Sequence, residues 1–75
     1  MSSIHDPRYR NLIKALIQTR ELKKITQVQL SSSLKKQQSY VAKVENFERR
    51  LDVLELHDWL HVLEISISNF LDENL

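Results

Sequence analysis

Gln37, Gln38 and Ser39 stand together, Lys43 follows one helical turn later, and Asn46 lies just beyond it. Amide, hydroxyl and ammonium groups make hydrogen bonds rather than break covalent bonds. Spaced along a helix, they form a short polar strip suited to reading a partner. His57 and His61 invite a different chemistry, because histidines four apart on a helix can hold zinc. Both fall opposite the apolar side of their segment, and so small a chain builds no substrate cleft around them. No metal site and no cofactor is expected. The sequence has no nucleophile–base arrangement, and without glycine it has no phosphate-cradling glycine loop. No catalytic residue is assigned, and enzymatic activity is not expected.

Seventy-five residues make one small domain near the lower limit for a single core. Cysteine is absent, so no disulfide or cysteine-ligated zinc can supplement that core. No apolar run approaches the roughly 20 residues that span a bilayer, and the polar start is no secretory signal. A reducing, cytoplasmic location without membrane contact is the default expectation. Charge is unevenly spread. Residues 1–50 hold all 11 Lys and Arg against four acids, whereas residues 51–75 hold six acids and neither base. A surface for polyanions is thereby separated from a region that avoids them.

The elements that must position the polar strip can be read in order. Residues 1–6 are expected to form a flexible tail, and 7–75 a single domain. Asp6-Pro7 is a helix start, with Asp accepting orphan N–H groups and Pro pre-set for the first helical position. Tyr9, Leu12, Ile13, Leu16 and Ile17 share one stripe, and Arg20 falls in its middle. An arginine aimed at a core needs an anion, since an unpaired buried charge is very costly. Thr26-x-x-Gln29 is a capping box opening a second helix, about 26–34. Leu30 and Leu34 form its buried side, and Ser31 fits closely between them. A short turn at Lys35-Lys36-Gln37 leads to a third helix, about 38–46. This one buries Val41 and Val44, sets Glu45 beside them and turns Ser39, Ala42, Lys43 and Asn46 outward. A fourth helix is expected over Leu51–Leu63 with Val53, Leu56, Trp59, Leu60 and Leu63 on its core face. Ser66 caps a fifth carrying Ile67, Phe70 and Leu71. Leu54 and Val62 lie off the fourth helix's core face.

From Tyr9 to Phe70 the sequence resembles the Xre family of lambda-repressor-like, Cro-type helix-turn-helix domains. The likeness is carried by Arg20, Thr26-Gln27, Leu30, Gln38-Ser39-Tyr40-Val41, Lys43, Glu45, Asn46, Arg49 and the run Arg50-Leu51-Asp52-Val53. It implies an all-α, compact five-helix DNA-binding domain whose helix-turn-helix places the 38–46 helix in the major groove. It further implies a structural salt bridge between Arg20 and Glu45. Base reading falls to Gln38, Ser39 and Lys43, with Gln37 and Tyr40 touching bases or sugar-phosphate. By the same resemblance Gln27 binds a phosphate and steadies Gln38. Lys35, Lys36, Asn46, Arg49 and Arg50 are the remaining phosphate contacts, which position a protein without specifying sequence.

The expected function is sequence-specific binding of double-stranded DNA by a transcriptional repressor. It would act as a homodimer on a palindromic operator, paired through the C-terminal helices around Leu54, Val62 and the last helix. The alternative keeps the fold but makes a protein partner the target, as in an antitoxin-like or anti-regulator module with an acidic grip. The family pattern places glycine where this chain has Lys35, Phe47 and Glu64. Either these turns differ, or the three residues take positive φ at about 1–2 kcal/mol each.

Overall fold

Asp6 and Pro7 begin the first helix as their types require. The Asp6 carboxylate accepts the Arg8 N–H at 2.8 Å while Pro7 occupies the first turn. The computed structural model describes residues 4–75, which form α1 (Pro7–Leu22), α2 (Gln27–Ser33), α3 (Gln38–Glu45), α4 (Val53–Val62) and α5 (Ile67–Asn74). Among the described residues there is no strand, and no helix is long and apolar enough to cross a membrane. The domain is all-α. Of the expected tail, Met1–Ser3 lie outside the described residues, Ile4 is half-buried and Asp6 serves as the cap.

One core joins all five helices. Ile13 and Leu16 from α1, Leu30 from α2 and Val41 and Val44 from α3 meet Trp59 and Leu60 from α4, Leu63 just after it, and Phe70 from α5. Loss of one such side chain to alanine typically costs about 2–5 kcal/mol. Ser31 is buried among them, and its hydroxyl donates to the Val28 carbonyl at 2.8 Å. A larger side chain there would separate α2 from the core.

The fourth helix starts later than its apolar pattern suggests. Asp52 is extended, at φ −90° and ψ 178°, and caps the helix by accepting the Glu55 N–H at 2.8 Å. Glu55 returns the bond by accepting the Asp52 N–H at 3.0 Å. The capping box sets the helical register two residues after Leu51, which therefore stays in the connecting loop. There it is buried, its N–H donating to the Tyr9 hydroxyl at 3.0 Å. Val53 overhangs the first turn and is 67% exposed rather than part of the core face.

Four helices end identically, and none ends on glycine. Lys24, Lys35, Phe47 and Glu64 have φ of 59°, 59°, 61° and 60°, one after each of α1 to α4. Each lies between paired return bonds: Lys24 N–H to the Glu21 carbonyl and Ile25 N–H to that of Arg20, then Lys35 to Ser32 and Lys36 to Ser31. The same pattern follows α3 with Phe47 to Val44 and Glu48 to Lys43, and α4 with Glu64 to His61 and Ile65 to Leu60. These are Schellman caps, which satisfy carbonyls that helix ends leave orphaned. The turns keep their glycine-type geometry and carry the strain. Lys24 adds a fourth such position to the three anticipated.

Candidate nucleic-acid interface

The inner side of α3 is fixed before its outer side can be useful. Arg20 and Glu45, 8% and 7% exposed, form a two-pronged pair: Nε to Oε2 at 2.7 Å and Nη2 to Oε1 at 2.9 Å. Arg20 Nη1 also donates to the Ile25 carbonyl at 2.8 Å, just after the α1 cap. Parallel charge-assisted bonds of this kind hold orientation as well as distance. The pair therefore ties the end of α1 to the end of α3, as its position on the apolar stripe required. Val41 and Val44 complete the anchored side.

Gln27 departs from expectation. Its amide donates to Glu45 Oε1 at 2.9 Å instead of steadying Gln38. A buried carboxylate oxygen gains from every available N–H, and Gln27 at the start of α2 is within reach. The side chain is half-buried and serves as scaffold.

The outer side is a set of exposed polar groups. Gln37, Gln38, Ser39, Lys43 and Asn46 are all exposed, as are Lys35 and Lys36 in the turn and Arg50 in the loop after α3. Gln37 is the cap residue of α3 yet makes no side-chain capping bond. The first N–H groups of α3 are thus left without the side-chain acceptor that Thr26 and Asp52 give α2 and α4. Such N–H groups, with the positive end of the helix dipole, favour anions.

Tyr40 is tied into the scaffold. Its hydroxyl donates to Glu55 Oε2 at 3.0 Å and accepts the Trp59 indole N–H at 3.1 Å. The Tyr40 and Trp59 rings meet edge to face at 6.1 Å, so Tyr40 packs on α4. Burial, and to a lesser degree the bond to Glu55, raise the phenol to about 12. Two cations lie against the ring: the Arg49 guanidinium carbon at 4.8 Å from its centroid and Lys36 Nζ at 5.5 Å. Arg49 is also engaged with Glu55 Oε2 at 2.8 Å and with the Arg50 carbonyl at 3.2 Å. Phe47 lies half-buried under Arg10, whose guanidinium carbon is 4.1 Å from the ring centroid.

Glu55 is the participant that reading the chain missed. The spacing Asp52-x-x-Glu55 is itself a capping-box signal and announces it. His57 and His61 on α4 are exposed, their rings stacked at 6.2 Å and 14°. Among the described residues no group of three potential ligands surrounds them. Val62 is half-buried against the core, whereas Leu54 is 73% exposed.

No family model and no curated protein matches the chain.

Proposed function

We propose that this chain is a sequence-specific DNA-binding transcriptional repressor of the lambda-repressor-like helix-turn-helix class. It enters the major groove with α3 and acts as a homodimer on a palindromic operator. One observation carries the reading: α3 is locked from inside by Val41, Val44 and the Arg20–Glu45 pair, while its outward residues Gln38, Ser39, Lys43 and Asn46 are polar and exposed. A helix fits the major groove, where Gln or Asn can make paired bonds to adenine and Lys can read guanine. Gln37, Gln38, Ser39 and Lys43 are therefore the assigned base readers. Lys35, Lys36, Asn46, Arg49, Arg50 and the open N–H groups of α3 are assigned to phosphates.

A single helix reads only a few base pairs, and a twofold partner doubles the site. Leu54, with Val53 beside it, offers the exposed apolar surface for that partner. A salt titration of duplex binding tests the reading. Several phosphate contacts require a steep loss of affinity as salt rises, with a log–log slope of about −0.9 per phosphate neutralised. Binding insensitive to salt, or no binding to any duplex, would direct attention to a protein partner instead.

A further inference from the structure

Glu55 sits where the scaffold meets the proposed phosphate contacts. Its Oε1 accepts the Asp52 N–H, while its Oε2 accepts both the Tyr40 hydroxyl at 3.0 Å and Arg49 Nη1 at 2.8 Å. Arg49 therefore lies along the Tyr40 ring with a carboxylate already bound to it. Lys36 reaches the same ring from the turn before α3, and Arg49 reaches it from the loop after.

We propose that Glu55 is a built-in competitor for the nucleic-acid backbone. In the free protein it holds Arg49 against Tyr40, and in the complex it yields Arg49 to a phosphodiester. This rests on the DNA-binding reading above. The arrangement suits exchange for two reasons. Arg49 is 44% exposed against 21% for Glu55, so water and a phosphate can both reach the pair from the guanidinium side. Glu55 also keeps two donors, the Asp52 N–H and the Tyr40 hydroxyl, after Arg49 leaves, so no bare carboxylate is stranded. Arg49 makes a single bond to Glu55, whereas the two free oxygens of a phosphodiester can accept two guanidinium N–H groups at once. Tyr40 and its bond to Trp59 fix the platform from which Arg49 departs.

The consequence is opposite to that of a simple structural acid. Glu55→Gln keeps a carbonyl acceptor for the Asp52 N–H, since glutamine serves equally in a capping box. It removes the charge that competes for Arg49 and, with the amide nitrogen in place of Oε2, the acceptor of the Tyr40 hydroxyl as well, an effect that the Arg49→Ala background shares and so cancels. The test measures binding to a mixed-sequence duplex across salt for wild type, Glu55→Gln, Arg49→Ala and the double variant, with melting curves to verify folding. Glu55→Gln should bind more tightly than wild type at low salt. That advantage should shrink as salt rises from about 50 to 200 mM, because screening weakens the ion pair that only wild type must break. In the Arg49→Ala background the advantage should vanish. An advantage independent of salt, an equal gain without Arg49, or weaker binding by a folded Glu55→Gln variant would overturn the proposal while leaving DNA binding intact. Absence of wild-type binding to every duplex would overturn both.

Discussion

Replacing Lys35 with glycine should stabilise this protein, although glycine usually weakens helical domains. Lys35 follows α2 at φ 59°, where a Cβ crowds the following carbonyl oxygen at a cost of about 1–2 kcal/mol. Glycine relieves that strain but gives the unfolded chain more freedom, returning about 0.4–1 kcal/mol. The lysine charge near the negative end of the α2 dipole contributes about 0.3 kcal/mol that is also lost. A net gain of roughly 0.5 kcal/mol remains, or about 2–4 °C in Tm for a domain of this size. Glu64 has the same backbone, at φ 60°, but the wrong charge for a helix C-terminus. Glu64→Gly should therefore gain more, about 1 kcal/mol, since the dipole term changes sign. Phe47→Gly should destabilise, because the ring packs under Arg10 and against the core. Thermal and urea unfolding followed by circular dichroism measure all three. Lys35→Ala and Glu64→Ala separate charge from backbone, because alanine retains the Cβ. Glycine variants that melt at or below their alanine counterparts would refute the reasoning.

Other perturbations follow from particular bonds. Glu45→Ala strands Arg20 in the core and should cost about 3–5 kcal/mol in urea unfolding; a loss below about 1 kcal/mol would show that the pair does not tie α1 to α3. Asp52→Ala removes the α4 cap and should cost about 1 kcal/mol, read as a lower urea midpoint. Tyr40 ionises near 12 in the folded chain, above its ordinary value of 10.0. Its protonated phenol therefore contributes stability that is fully present below about pH 10 and lost as pH rises towards 12. The difference in alkaline unfolding between wild type and Tyr40→Phe should grow over that interval and not below it. Lys43→Ala should alter which sequences are bound, whereas Lys36→Ala should weaken all of them evenly.

Much of the scaffold was legible because its signals are local. Asp6-Pro7, Thr26-x-x-Gln29 and Ser66 each mark a helix start through one side chain and a nearby N–H, and all three cap as expected. Arg20 advertised its need for an anion by falling on an apolar stripe, and Glu45 meets that need. What escaped was distant in sequence or competed with a stronger-looking pattern. The apolar residue Val53 drew the fourth helix's core face too far forward, while the Asp52 cap exposed Val53 and gave Leu51 to the core. Gln27 and Tyr40 were assigned contacts by resemblance, and their bonds within the domain were not foreseen. Their partners, Glu45 and the Glu55–Trp59 pair, come from other elements, and no spacing rule reveals such pairings. The positive φ at Lys24 was hidden for a related reason: a lysine there gives no hint of the left-handed turn that glycine would announce.

We propose that α3 reads DNA sequence. Selection of bound fragments from a pool of random duplexes tests it most directly, with the intact chain as bait at moderate salt. If α3 reads sequence, a short motif repeated in inverted orientation should be enriched. Its half-sites should lie about one helical turn, 10–10.5 base pairs, apart, and the motif should change when Gln38 or Lys43 is replaced by alanine. A pool that emerges without any enriched motif, or with one indifferent to both replacements, would contradict it.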